Sequence, residues 1–130
     1  MVKRIVVVKI RKKHHDNVNE DLRWMGNSLG LFGIRDKDSS CFRMFIILLK
    51  HRDKTISSDE IAEKLRLTRG TVVHHLNKLM DAGVVVREKG GYILRENSMQ
   101  GVIRDMRKDM ETMFGELKRA AKEIDEKLGL

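Results

Sequence analysis

Residues 56–94, ISSDEIAEKLRLTRGTVVHHLNKLMDAGVVVREKGGYIL, carry more local structural instruction than any other stretch of this chain. Ser57-Ser58-Asp59-Glu60 fits a capping box, in which Ser57 accepts the Glu60 backbone N–H and Glu60 reaches back to Ser57. Asp59 and Glu60 also suit the positive end of a helix dipole. Ile61 and Leu65, four residues apart, give this first helix its buried edge, and Ala62 permits close approach. Leu67 plugs the turn that follows. Thr68 is a good N-cap for a second helix, predicted over residues 68–82, in which Val72, Leu76, Leu79 and Met80 form one apolar stripe. Gly83 stands where a left-handed C-cap belongs. Val84-Val85-Val86 and Tyr92-Ile93-Leu94 are β-formers flanking Lys89-Gly90-Gly91, which is a hairpin signal.

Two short helices at a tight turn, followed by a hairpin, make a helix-turn-helix with a wing, a unit that lays its second helix in a DNA major groove. The predicted fold class is therefore mainly α with a small β-hairpin wing (α+β), a winged helix-turn-helix extended by a long C-terminal dimerisation helix. The predicted domains are residues 1–39, a basic strand or arm with a short helix; 40–96, the winged helix-turn-helix; and 97–130, an amphipathic dimerisation helix. Ser39 or Ser40 caps a backing helix over residues 41–51 with Phe42, Phe45, Ile46 and Leu49 inward.

At this level the chain resembles winged-helix transcriptional regulators of the ArsR-like type, with the MarR-like group close behind. The resemblance is carried by Ile61-Ala62-Glu63-Lys64-Leu65, Leu67-Thr68, residues 71–79 (TVVHHLNKL) and Ala82-Gly83-Val84-Val85. It covers about residues 40–96 and is specific for winged-helix DNA binders rather than for a subfamily. It implies a prokaryotic regulator that binds DNA as a dimer. One departure matters. Metal-sensing members use paired cysteines, or carboxylate and His ligands on the last helix. This chain has one cysteine, Cys41, and no His or Cys after His75. His74 and His75 diverge by ~100° on a helix and do not face one ion together. No metal and no cofactor are expected.

Formal net charge is +8 and the sequence pI about 9.8, which suits a polyanionic partner. The excess is N-terminal: residues 1–50 hold 11 Lys/Arg against 5 Asp/Glu, residues 51–96 hold 9 against 7, and residues 97–130 hold 7 against 7. A lone cysteine excludes an internal disulfide framework and suits a reducing cytoplasm. Apolar runs at 5–8 and 44–49 are too short to span a bilayer, and Lys9 interrupts any signal-peptide reading of the start. The charged fraction of 35% with no proline resembles a thermophile's composition.

Residues 2–10 are β-branched and basic, and read as a strand that pairs across a dimer or as an arm that grips phosphates. The apolar run at residues 5–8 favours the strand slightly. Residues 11–19 read as a loop containing His14-His15. Residues 20–29 form a short helix with Leu22, Met25 and Leu29 on one face and Trp24 at its border. Gly30, Gly33 and Asp36-Lys37-Asp38-Ser39 mark a break. In the tail, Met99, Ile103, Met106, Met110, Met113, Leu117, Ala120 and Ile124 follow steps of 4, 3, 4, 3, 4, 3 and 4, a heptad seam. Phe114, Ala121 and Leu128 widen it, which implies a third contacting surface. Gly101 and Gly115 fall on the outer face, where packing does not demand them. One small domain cannot cover a stripe ~45 Å long, so this seam is the expected homodimer interface.

Catalytic chemistry is not evident. There is no G-x-x-x-x-G-K-[ST] loop, no G-x-G-x-x-G after a strand and no H-E-x-x-H. Cys41 on an apolar helix reads as a core thiol, and the tail methionines as adaptable packing. The predicted partners are double-stranded DNA and a second copy of the chain, with no membrane and an effector left open. On the recognition helix the expected DNA contacts are Thr68, Arg69, Gly70, Thr71, Val73, His74, Asn77 and Lys78. Arg69 suits guanine O6 and N7, and the Thr71 or Val73 methyls suit thymine. Ser58, Lys64, Arg66, Arg87, Lys89 and Arg95 are expected on phosphates or in the minor groove. His75 suits either a buttressing or a contacting role. A protein-interaction module in a transcription or chromatin assembly, or an RNA-binding protein, are the alternatives.

Overall fold

The structure is a computed structural model and describes residues 3–14, 16–32 and 39–130. The elements run α1 (Val18–Ser28), α2 (Ser40–Lys50), α3 (Ser58–Leu65), α4 (Arg69–Asp81), β1 (Val85–Glu88), β2 (Gly91–Leu94) and α5 (Met99–Leu128). This is the winged helix-turn-helix, mainly α with one antiparallel hairpin and a long final helix. The predicted break at Gly33 and Asp36-Lys37-Asp38, and the His15 half of the His14-His15 pair, lie outside the described residues.

Side-chain oxygens set the starts of four helices. Asn17 accepts from Asn19 N at 2.8 Å, Ser57 from Glu60 N at 3.1 Å, Thr68 from Thr71 N at 3.2 Å and Ser98 from Gly101 N at 3.1 Å. Asn17 thus begins α1 two residues earlier than the apolar pattern indicated. Ser39 precedes α2 with φ 57° and makes no cap bond. Its hydroxyl lies 3.5 Å from Arg23 Nη1 instead.

The hairpin register pairs Val85 with Leu94 and Glu88 with Gly91. Lys89 and Gly90 both have positive φ, 49° and 77°, so the wing tip is a two-residue turn of the type I′ class. Gly91 belongs to β2 rather than to the turn. A Cβ there would come within 2.8 Å of Thr55 Cβ. That crowding marks where Ile56 and Tyr92 exchange backbone bonds (3.0 and 2.8 Å), adding a short third rung to the sheet.

One core lies between α2, α3, α4 and the sheet. Met44, Leu48, Ile61, Val72, Leu76, Leu79 and Val84 are all 0% exposed. On α2 the inward face is Met44, Phe45 and Leu48, while the expected Ile46 and Leu49 are only half-buried. The run Met44-Phe45-Ile46-Ile47-Leu48-Leu49 is apolar all round, so its period cannot fix the phase of the helix. Arg43 adds a polar tie by donating from Nη2 to Leu65 O at 2.8 Å, which satisfies a carbonyl at the end of α3.

Residues 3–14 form no strand. They run across their own subunit, with Arg4 N donating to Asp81 O (2.7 Å), Val8 N to Ser28 O (2.7 Å) and Trp24 Nε1 to Ile10 O (3.1 Å). The partners are two helix-end carbonyls and one indole N–H, and such scattered bonds do not make a ladder.

The first turns of α5 dock on the body through Val102 (0% exposed) and Met106 (3%). Gly101, expected on the outer face, is buried; a Cβ there would meet Glu96 Cβ at 3.0 Å and Ser98 Oγ at 3.1 Å. Farther along, Phe114, Leu117, Ile124 and Leu128 are 54–67% exposed.

Candidate nucleic-acid interface

The turn between α3 and α4 is made by Arg66 in the left-handed region (φ 55°), whose N–H returns to Glu63 O, and by Leu67, whose N–H returns to Ala62 O at 3.0 Å. These bonds close α3 and aim α4 away from it. Val72, Leu76 and Leu79 then pin α4 to the core, and the same periodicity turns the opposite side outward. Arg69, Gly70, His74 and Asn77 are exposed, while Thr71, Val73, His75 and Lys78 are half-buried. Thr68 is exposed, but its hydroxyl also donates to Thr71 Oγ1 at 2.9 Å, so it serves the helix start first.

Arg69 Nε lies 3.7 Å from Asp59 Oδ1, with both side chains about three-quarters exposed (73% and 76%). A pair so open to solvent contributes little and leaves the guanidinium able to exchange partners. A Cβ on Gly70 would meet nothing within 4 Å, and Gly70 is absent from the positive-φ residues. The fold therefore gives no reason for glycine in the first turn of α4. The surface there is open for another molecule to approach the backbone closely.

The cations expected on the backbone divide into two groups. Arg87 and Lys89 are exposed on the wing, with the Arg87 guanidinium 5.7 Å from the Tyr92 ring centre. Arg66 is exposed at the turn, Ser58 is half-buried at the start of α3, and Lys64 is 3.6 Å from Glu60 on its own helix and 3.4 Å from His51 Nε2.

Arg95 is different. It follows β2 and is held by α5: Nη1 and Nη2 both donate to Asp109 (the second at 3.0 Å), and Nε lies 3.7 Å from Asp105. Lys3 Nζ donates to the same Asp109 at 2.6 Å. The Arg95 hydrogen bonds hold the Asp109 carboxyl down at about 2, with Lys3 assisting against the opposing effect of burial. The Arg95 pKa is raised in turn, chiefly by the Asp109 hydrogen bond. Arg95 thus joins the wing to the last helix, with its guanidinium engaged by Asp109 and Asp105. Sequence reading gave no sign of this junction, because Lys3 and Asp109 are 106 residues apart.

Sequence reading also missed the neighbour of α4. Arg4 and Val6 line a groove of about 390 Å³ together with His74, Asn77 and Lys78. On the expected dimer seam, Met99, Met110 and Met113 are half-buried, Met106 is buried, and Ile103, Leu117, Ala120 and Ile124 are exposed. Among the described residues no cluster of His, Cys, Asp or Glu could hold a metal ion, and no helix is long and apolar enough to cross a membrane.

Residues 42–93 match a family model described as an HTH domain. No curated protein matches the chain. Among solved structures, a MarR family protein of Mycobacterium tuberculosis is similar at 27% identity over 87% of this chain and 82% of that one, with a TM-score of 0.39. The matched segment begins in α2 and ends in β2, spanning the backing helix, the two-helix unit and the hairpin. The match thus coincides with the winged helix-turn-helix fold built by α2, α3, α4, β1 and β2.

Proposed function

We propose that this chain is a transcription regulator that binds double-stranded DNA sequence-specifically as a homodimer. In this reading α4 enters the major groove and the wing meets the backbone or minor groove. The observation that carries it is the pairing of a fully buried stripe (Val72, Leu76 and Leu79 at 0%) with an outward face of Arg69, Gly70, His74 and Asn77 on one helix. A firmly seated helix holds polar side chains where base edges can meet them. Arg69 supplies bidentate donors for guanine, His74 and Asn77 supply further polar contacts, and the half-buried Thr71 and Val73 methyls offer apolar contact to thymine. Arg87 and Lys89 supply wing charge.

The homodimer reading is supported by the outer part of α5. Phe114, Leu117, Ile124 and Leu128 form an apolar stripe that the described subunit leaves in water, and a heptad seam is suited to a like helix. Two subunits joined there would present two α4 helices to a two-fold-related site. The resemblance carried by residues 61–85 supports a cytoplasmic regulator of the ArsR-like type, with the MarR-like group close behind.

Selection of bound duplexes from random sequence tests the whole reading. The expected product is a palindromic consensus, and Arg69→Ala is expected to lose about 1–3 kcal/mol of discrimination at one position per half-site. Equal losses on selected and random DNA would remove Arg69 from base readout. No enrichment of any duplex would overturn the function.

A further inference from the structure

The N-terminal segment is laid along α1 in step with it. Val8 N meets Ser28 O, Ile10 O meets Trp24 Nε1 and Lys12 Nζ meets Asp21 Oδ1, at 2.7, 3.1 and 2.8 Å. Every second residue of the segment thus reaches the helix about one turn nearer its start. Two residues of extended chain advance ~6.6 Å and one helical turn ~5.4 Å, so the two run antiparallel in near register. No described residue from Lys3 to His14 has positive φ.

Side-chain contacts identify the inward face. Val6 lies against Gly30, where an added Cβ would come within 2.9 Å of Val6 Cγ1. Lys12 lies 5.4 Å from the Trp24 ring centre. Val7 is 63% exposed, against 46%, 45% and 39% for Val6, Val8 and Ile10. Lys9, Arg11 and Lys13 alternate along the segment with these anchored residues, ~6.6 Å apart in extended chain, and Arg11 and Lys13 border a groove with Glu20, Arg23, Trp24 and Asn27 of α1. All three are exposed, and no ion pair among the described residues involves them. That interval is comparable with the separation of successive phosphates on one nucleic-acid strand. Six Lys/Arg precede the first acidic residue of the chain, Asp16.

The segment that carries the row begins beside α4. Arg4 N is bonded to Asp81 O at the end of α4, and Arg4 and Val6 share a groove with His74 and Asn77. Three extended residues separate Val6 from Lys9, so along the chain the first cation comes ~10 Å after that groove and the last ~23 Å.

We propose that Lys9, Arg11 and Lys13 form a phosphate track, fixed on the body by α1, that extends the DNA interface to the backbone flanking the site read by α4. The track rests on the DNA-binding reading above. It differs from a loose basic arm in being anchored before DNA arrives.

The test compares the full-length chain with its Lys9→Ala, Arg11→Ala, Lys13→Ala triple variant. Affinity is measured across a salt series on the selected duplex with long flanks and on the same duplex trimmed to the site. On the long duplex the triple variant is expected to lose about 2–3 units from the slope of log K against log salt. On the trimmed duplex the slopes are expected to coincide, and a charge-keeping Lys9→Arg, Arg11→Lys, Lys13→Arg variant is expected to match the parent on both. An unchanged slope on the long duplex, while Arg69→Ala still lowers discrimination, sinks the track alone. Equal slope loss on both duplexes also sinks it, by placing the cations on the site itself. A parent chain that binds no duplex at all sinks both readings.

Discussion

α4 and α5 are both amphipathic helices, and they differ in what covers the apolar side. On α4 the stripe is sealed by the subunit's own core, with Val72, Leu76 and Leu79 at 0% exposure. On α5 only the first turns are sealed, through Val102 and Met106, and Phe114, Leu117, Ile124 and Leu128 stay open. Identical periodicity therefore serves two ends. A covered stripe fixes where the opposite face points, whereas an uncovered one is itself a surface for a partner.

The comparison is sharpest for paired substitutions. Leu76→Ala is expected to cost about 2–5 kcal/mol in chemical denaturation, because a completely buried leucine leaves a cavity. Leu117→Asp with Ile124→Asp is expected to leave the denaturation midpoint of the isolated subunit nearly unchanged and to halve the mass seen by light scattering. A stable dimer in that double variant would break the contrast by showing that the open stripe of α5 is not the joining surface.

A smaller effect is expected at the boundary between the sealed and open parts of α5. Asp109 has its carboxyl lowered to about 2 by Arg95 and Lys3, and its side chain is 17% exposed. A lowered folded pKa adds stability that is complete above the ordinary carboxylate range and is lost as pH falls from about 4 to about 2. Asp109→Asn is expected to cost about 1–2 kcal/mol at neutral pH, after allowance for solvent screening, and to flatten that acid limb. An unaltered pH profile would show that the junction does not help to seat α5.

The smallest effect returns to α4. Gly70→Ala meets nothing within 4 Å and is expected to raise stability by at most about 1 kcal/mol, since alanine is the better helix former. The same change is expected to weaken duplex binding, measured by titration, if DNA approaches that backbone closely. Stabilisation with unchanged affinity would place the DNA elsewhere on the helix.

Legibility in the sequence followed the range of the interaction. Ser57, Thr68, Gly83 (φ 82°) and the wing turn act over two to four residues, and reading the chain locally locates each of them, with Gly91 alone passing from the turn to β2. The inward residues of α4 were legible because its other faces carry Arg69, His74 and Asn77. The phase of α2 was not, because a helix apolar on all sides offers nothing to rank. Local pattern was also silent on Gly101, whose burial depends on Glu96 and Ser98 folding back over it. The Lys3–Asp109–Arg95 junction and the path of the N-terminal segment over α1 and α4 join distant parts of the chain, and no periodicity encodes them.

The open end of α5 has a further consequence. Beyond Met113 about fifteen residues project from the body, and Gly115, around which an added Cβ would find only empty space, loosens their start. A peptide of that length holds its coil poorly in water when nothing shields its oily edge. In the homodimer proposed above, the outer part of α5 is therefore a zipper that sets only when closed, and dilution is expected to unwind it before the rest of the fold is disturbed.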